Sequence, residues 1–401
     1  MVFVLAGALI VLNILVDSFV AVRPGASRAG HVLASVVPIV LTTVAVWFNP
    51  RLKAGLRVSI ASLFGALALV WGGIAVATAA QEGFGPGGIT GFLLIPVGIG
   101  LLVLAAATLW RSRRHDRFRY PRAVMFMVVA ILAVYWVMLP LGISAYATHR
   151  PRASLGIADL PLAYENVTVR TSDGLDLTAW YIPSKNGAAV ITFPRDWTAA
   201  HAAMLASHGY GVLMLDMRGY GEAEGDANAY GWGASRDIDA GISYLRSRTD
   251  VKAGRIGGPG LSVGGEQMIE AAARDPRLKA VVSEGAGERS VRESLLRGPR
   301  GYFALPAMAV QTAAIAVLSG DALPPSLEQL VVEVAPRPVF LIFSSNGGGG
   351  EELNPVYFAA AGQPKELWEV PGAGHTAGIS GHPQEYERRV TQFFDSWLLD
   401  R

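Results

Sequence analysis

The first feature of the sequence that points to a chemical reaction is a serine flanked by glycines. Ser262 lies in the run GLSVGG (residues 260–265), between a short apolar stretch and an alanine-rich stretch with helical periodicity. Glycines two positions before and after the serine permit a tight strand-to-helix turn that exposes its hydroxyl. We therefore predict that Ser262 is a nucleophile. The backbone N–H of Val263, at the helix start, is predicted to donate to an oxyanion.

A serine hydroxyl needs a base to remove its proton, and histidine suits this role near neutral pH. His375 follows a short predicted strand and a Gly-Ala-Gly turn, which places it on a loop at the carboxyl edge of a sheet. His201 and His208 lie on or beside a predicted helix, where packing or capping is the expected role. His382 lies in a predicted surface loop. The predicted base is therefore His375.

The elements that must position these residues alternate between strand and helix patterns. Buried-strand patterns occur at 188–194 and 210–218, and each is followed by a helical pattern. The alternation continues to a closing amphipathic helix near the carboxyl terminus. It predicts an α/β fold with a mainly parallel sheet and helices on both faces, in which sites form beyond the carboxyl ends of the strands.

Four ordered features of this region resemble the α/β-hydrolase superfamily, in its serine esterase, dienelactone-hydrolase-like and serine-aminopeptidase-like branches. They are the turn at Ser262, LDMRGYGEAEG at 215–225, APRPVFLI at 335–342 and VPGAGH at 370–375. The resemblance spans about residues 160–400. It implies a serine, acid and histidine in that chain order. It implies neither a metal nor an organic cofactor.

The resemblance places the acid after the strand RPVFLIFSS, where this chain has SSNGGGGEELNP and no aspartate. Glu351 stands four residues before Pro355, similar to the acid-to-proline spacing of the family, and is the favoured acid. Glu352 is the first alternative. Glu284 is the second, since it ends the preceding strand, where some relatives carry the acid.

The second oxyanion donor is expected in the loop after the strand AAVITFP. Relatives often have His-Gly-Gly there, whereas this chain has Phe193-Pro194-Arg195-Asp196. Because proline has no N–H, the predicted donor is the backbone N–H of Arg195 or Asp196.

A cap is predicted at about 286–335, between two strands of the sheet. It includes GYFALPAMAVQTAAIAVLSG (301–320), which carries no charge and has the length of a membrane span. A crossing there would put Ser262 and His375 on opposite sides of the membrane. We therefore interpret the segment as an apolar cap, either resting on the bilayer or packed as an ordinary helix. It favours a small-molecule or lipid-like acyl substrate.

Composition indicates a membrane domain before the hydrolase-like region. The chain is 51% hydrophobic and 16% charged, against about 25% charged in typical soluble proteins. Residues 1–153 carry a net charge of +10 and residues 154–401 a net charge of −8. An acidic water-facing half excludes nucleic acid as the expected partner and leaves membrane lipids. The absence of cysteine excludes thiol catalysis and disulfides.

Five apolar runs predict a transmembrane domain at 1–148, followed by a linker at 149–160 and the hydrolase domain at 161–401. The runs are 2–22, 31–49, 58–80, 91–110 and 123–142. Asp17 is interpreted as an interfacial residue near the end of the first helix. The second and fourth loops hold nine Lys and Arg residues against four on the other side. The positive-inside rule therefore predicts a multi-pass cell-membrane protein whose hydrolase domain is extracytoplasmic.

The predicted function is that of a membrane-anchored serine hydrolase that cleaves an ester-like bond through a serine, histidine and acid. A serine peptidase of the same fold is the first alternative. A catalytically inactive hydrolase fold that serves as a binding module is the second, since fold alone does not decide function.

Overall fold

The structure is a computed structural model that describes residues 2–16, 28–82, 86–111, 119–148, 162–193 and 199–399. These residues form two compact units, Met1–Ala145 and Tyr146–Arg401. Asp17, most of the arginine-rich loop after 111 and the predicted linker lie outside the described residues.

The described residues of the first unit are helical apart from Leu52 and Lys53, which follow a 3-10 turn at Asn49–Arg51. The last apolar run of this unit forms one continuous helical segment, because a π-helical turn at Val134–Met138 joins two α-helices. That segment ends at Thr148, beyond the predicted end at 142. The helices are α1 Val2–Leu15, α2 Arg28–Phe48, α3 Ala54–Glu82, α4 Pro86–Arg111, α5 Arg119–Ala133 and α6 Leu139–Thr148.

Among the described residues of this unit, three segments are long and apolar enough to cross a membrane: Ala54–Gly73, Ile89–Arg111 and Met127–Thr148. Each approaches or exceeds the roughly 20 residues that span about 30 Å as a helix. Glycines bring α3 and α4 together. A Cβ at Gly65 would lie 3.0 Å from the carbonyl oxygen of Gly98, and one at Gly98 would lie 2.7 Å from that of Gly65. Such close backbone approach is typical of packed membrane helices.

The second unit is built on an eight-stranded sheet. The strands are β1 Glu165–Arg170, β2 Asp176–Ile182, β3 Ala189–Thr192, β4 Gly211–Leu215, β5 Ile256–Leu261, β6 Ala280–Glu284, β7 Val339–Phe343 and β8 Lys365–Glu369. Their order is β1-β2-β4-β3-β5-β6-β7-β8. Among the described strands, β2 pairs antiparallel with β1 and with β4, and all other pairs are parallel. The predicted mainly parallel sheet is confirmed.

Both faces of the sheet are covered, so the central strands are apolar on both sides. On β4, Leu213 and Leu215 pack into one buried cluster, and Val212 and Met214 into the other. Helices α8 Ser235–Ser247, α9 Val263–Arg274 and α13 Asn354–Ala360 contribute to the first cluster. Helices α7 Ala199–Ser207 and α15 Pro383–Phe394 contribute to the second.

The region predicted as a cap forms three helices: α10 Val291–Leu296, α11 Pro299–Ser319 and α12 Leu327–Val334. Ser290 begins α10 with a capping box to Glu293. Gly320 ends α11 in the left-handed conformation, with φ of 74°. α12 differs from α11, because Leu327, Leu330, Val331 and Val334 are buried in the first cluster. The elements that lie outside the core are therefore α10 and α11. The remaining short helix, α14, is Gly378–Gly381.

Candidate active site

Ser262 occupies a tight turn between β5 and α9. Its φ of 54° is in a region that non-glycine residues rarely adopt. The turn leaves no room for side chains, since a Cβ at Gly260 would lie 2.2 Å from the carbonyl oxygen of Gly264. The Ser262 N–H donates to the carbonyl oxygen of Glu284 on the adjacent strand, at 2.7 Å. The sheet therefore holds the serine in this conformation at the carboxyl edge of β5.

The side chains of Ser262, His375 and Glu351 form a continuous hydrogen-bonded chain. The distance from Ser262 Oγ to His375 Nε2 is 2.8 Å. On the other side of the imidazole, His375 Nδ1 bonds Glu351 Oε1. The structure thus brings together three residues from three separate loops. They are the predicted nucleophile Ser262, the predicted base His375 and the favoured acid Glu351.

Glu351 is buried, and its second oxygen is also bonded. Glu351 Oε2 accepts a hydrogen bond from the Ser344 N–H at 2.8 Å. Asn354 holds the turn by donating to the carbonyl oxygens of Ala286 and Glu351, at 2.8 and 2.9 Å. A Cβ at Gly347 would lie 2.0 Å from Glu351 Oε1. The glycine-rich loop therefore lets the backbone close around the carboxylate.

The two alternative acids lie elsewhere. Glu352 is exposed and forms an ion pair with Arg297 at 2.8 Å. Glu284 is buried at the end of β6, where its Oε1 accepts a hydrogen bond from the Gly378 N–H at 2.8 Å. Its other oxygen lies 3.8 Å from His201 Nε2. Glu284 therefore holds the loop that follows His375 and does not bond the imidazole.

The predicted oxyanion donors are only partly described. Val263 is the first residue of α9, so no carbonyl of that helix accepts its N–H. Arg195 and Asp196 lie outside the described residues, which resume at α7.

The electrostatic surroundings of His375 favour the protonated form of its imidazole. The hydrogen bond that His375 donates to the Glu351 carboxylate raises the pKa of His375 above its ordinary value, and partial burial of the ring opposes that rise. A second acid was missed by the sequence analysis. Glu266, in the first turn of α9, is buried, and this burial raises its pKa to about 7. Its position four residues after Ser262, in the first turn of the helix that follows the nucleophile turn, was the available signal.

The remaining histidines of this unit have other contacts. His201 is buried on α7, with its ring 5.2 Å from that of Tyr386. His208 bonds Glu387 at 2.8 Å on the surface. His382 Nε2 lies 2.8 Å from the carbonyl oxygen of Pro371. Among the described residues, no group of three or more His, Asp or Glu side chains is arranged to hold a metal ion.

The arrangement can activate a hydroxyl. An imidazole bonded to a serine can accept the serine proton as the oxygen attacks a carbonyl carbon. A buried carboxylate on the opposite nitrogen fixes the tautomer and stabilises the imidazolium that forms. The fold and this geometry define the class of protein as a hydrolase of the esterase or peptidase type.

Comparison with known proteins supports the same class. The profile of the X-Pro dipeptidyl-peptidase (S15) family matches residues 164–330. The uncharacterized protein Rv2307c of Mycobacterium tuberculosis is 31% identical over 227 residues, which cover 53% of this chain and 73% of that protein. The uncharacterized protein YfhR of Escherichia coli K12 is 25% identical over 262 residues, which cover 59% of this chain and 83% of that protein.

A solved structure shares the fold. The Pyrococcus furiosus esterase Pf2001 superposes with a TM-score of 0.51 and 23% identity, covering 62% of this chain and 97% of that one. The chain belongs to the α/β-hydrolase superfamily.

The turn at Ser262 makes a prediction about stability. We expect Gly260→Ala to lower the unfolding temperature of the full-length protein in detergent by several degrees, because the added methyl group would meet the backbone of Gly264. Gly254→Ala is the matched control, since a Cβ there meets nothing within 4 Å. Equal unfolding temperatures for the two variants would contradict the proposed steric origin of the turn.

Proposed function

We propose that the protein is a membrane-anchored serine hydrolase that cleaves an ester-like bond through an acyl-enzyme. The observation that carries the proposal is the chain of hydrogen bonds from Ser262 Oγ through His375 to Glu351. Its order and polarity match what nucleophilic acyl transfer requires: a nucleophile, a base and a carboxylate that orients the base.

In the proposed reaction, Ser262 Oγ attacks the carbonyl carbon while His375 Nε2 takes the hydroxyl proton. The N–H of Val263 and that of Arg195 or Asp196 stabilise the tetrahedral oxyanion. The imidazolium then gives its proton to the leaving alcohol as the ester bond breaks. Water attacks the acyl-enzyme with His375 again as the base, and the carboxylic acid leaves as Ser262 regains its proton.

Covalent labelling with a fluorophosphonate probe tests the site. We expect wild-type protein to be labelled at Ser262, and Ser262→Ala to lose the label. Because His375 is the proposed base, His375→Ala should slow labelling by about 10²–10⁴-fold. Failure of the folded wild-type protein to label would favour the inactive binding module.

The three glutamates give an internal control in the same assay. Glu351→Gln should slow labelling strongly, because it removes the carboxylate bonded to the imidazole. Glu352→Gln loses only a surface ion pair and should label like wild type. Glu284→Gln keeps an oxygen for the Gly378 N–H and should have the smaller effect. A larger loss in Glu284→Gln than in Glu351→Gln would assign the acid to Glu284.

The raised pKa of His375 predicts the pH profile of labelling. Only the neutral imidazole can accept a proton, so the rate should rise with pH through a pKa above the ordinary value of 6.5. Glu351→Gln should move this limb to lower pH, because it removes the largest cause of the raised pKa. Glu266→Gln is the matched control for a second buried acid and should move the limb less. A limb that stays in place in Glu351→Gln would contradict the assignment.

A peptidase is the second candidate, and the match of residues 164–330 to the X-Pro dipeptidyl-peptidase family favours it. Parallel assays with p-nitrophenyl acyl esters and an X-Pro p-nitroanilide separate the two. Ester turnover without anilide turnover supports the esterase. The reverse, with Ser262→Ala inactive in both assays, supports the peptidase.

The membrane part of the proposal is supported by the three apolar helical segments of the first unit. It is supported further by the excess of Lys and Arg in the second and fourth loops. We propose a multi-pass protein with the hydrolase unit outside the cytoplasm.

Reporter fusions test this topology. A carboxyl-terminal alkaline phosphatase, which is active only outside the cytoplasm, should be active. A fluorescent protein that matures only in the cytoplasm should stay dark at the same position. The opposite pair of results would reverse the proposed orientation while leaving the proposed chemistry intact.

A further inference from the structure

Helix α11 has the composition of a membrane span but belongs to the hydrolase unit. Its 21 residues are long and apolar enough to cross a bilayer, and Arg300 is its only charged residue. Most of its side chains are exposed or half-buried, since only Gly301, Thr312 and Ile315 are buried. A helix of this kind in water exposes a large apolar surface, which soluble proteins avoid unless it has a partner.

The segments on either side of α11 are bonded to each other. Arg292, before the helix, forms an ion pair with Glu328, after it, at 2.7 Å. Glu293 accepts a hydrogen bond from the Leu327 N–H at 2.5 Å. A spanning helix would put these residues on opposite sides of a bilayer. α11 can therefore meet a bilayer only along its side.

One side of α11 is fixed to the hydrolase unit by polar contacts. Gln311 donates to the hydroxyl of Tyr230 at 2.7 Å. Just past the carboxyl end of the helix, Asp321 accepts a hydrogen bond from Asn228 at 3.0 Å. These contacts leave the opposite side of the helix facing outward.

The outward side is a continuous apolar stripe, which we call the α11 outer face. It comprises Tyr302, Phe303, Pro306, Ala309, Ala313 and Val317. Tyr302 and Phe303 are adjacent, and the others follow at spacings of three or four residues. All six are exposed, Val317 by 83%. None carries a charge. Arg300 is exposed at the amino-terminal end, three residues before Phe303.

We propose that the α11 outer face lies in the boundary between headgroups and acyl chains of a lipid bilayer. An apolar stripe bordered by aromatic rings and an arginine matches this boundary, because the stripe contacts acyl chains while the guanidinium binds lipid phosphate. The proposed membrane anchor, which is part of the same chain, supplies the bilayer. A soluble protein partner would meet a face without polar groups to fix its orientation.

This docking refines the substrate class and in that respect rests on the proposed function. The cap helix that contacts the bilayer belongs to the insertion between β6 and β7. Strand β6 ends at Glu284, and the loop that follows β7 leads to Glu351. An acyl ester that resides in the bilayer would therefore reach the hydrolase unit without passing through water.

The absence of cysteine permits a site-specific test that does not depend on catalysis. Full-length Ser262→Ala protein carrying Ala309→Cys is labelled with the fluorophore NBD in nanodiscs of phosphatidylcholine and phosphatidylglycerol. We expect quenching by doxyl-labelled phosphatidylcholine and iodide quenching weakened by about threefold or more, since the face is buried roughly 5–10 Å into the boundary. The matched control is Ser247→Cys, on the exposed surface of α8, which should show the opposite pattern.

Two outcomes would overturn the proposal. Equal quenching by iodide at positions 309 and 247 would place the face in water. Protection from iodide without quenching by doxyl lipid would mean that protein covers the face. Because the test uses an inactive variant, both outcomes are independent of whether Ser262 acts as a nucleophile.

A charge on the outer face supplies a second measurement. Val317→Glu should reduce doxyl quenching at position 309, because a carboxylate resists transfer into the acyl region. It should leave the unfolding temperature unchanged, since Val317 is almost fully exposed. Val332→Glu makes the same substitution at an exposed valine on α12 and should leave the quenching unchanged. Undiminished quenching in Val317→Glu would contradict the proposed depth of the face.

Discussion

The candidate site depends on a buried carboxylate being held in one position. Glu351 is almost completely removed from water, which is costly for a charge unless it is paired and hydrogen-bonded. His375 satisfies one of its oxygens and the Ser344 N–H the other. The same two contacts fix the imidazole relative to Ser262. Burial of the Glu351 carboxylate is unfavourable for its charge. It also makes the position of Glu351 relative to His375 specific, because other arrangements leave an unpaired charge.

The unfavourable backbone conformation of Ser262 is likewise stabilised by its surroundings. A serine with φ of 54° is unfavourable by itself. The strand pairing of β5 with β6 and the backbone hydrogen bond from Ser262 to Glu284 hold it there. Glu284 also bonds the loop after His375 through its side chain. One residue at the end of β6 therefore connects the nucleophile turn to the histidine loop.

Apolar helices have two different settings in this chain. In the first unit, glycines let α3 and α4 approach closely, as packed membrane helices do. In the hydrolase unit, α11 has a similar composition, but its flanking segments are joined by Arg292 and Glu328. The amino-acid composition of a helix determines how much free energy it gains when it leaves water. The connections at its ends decide whether it can cross a bilayer or only lie along one.

The sequence by itself determined the mainly parallel sheet, because runs of apolar residues that repeat between helical patterns can be buried only in that way. It also determined the turn at Ser262, since the glycine spacing is a local requirement of the backbone. Which glutamate faces the imidazole was decided only by the tertiary structure. Glu284, Glu351 and Glu352 are chemically equivalent in sequence. Long-range packing separates them, because it buries Glu351 against His375, binds Glu284 to the Gly378 N–H and leaves Glu352 exposed.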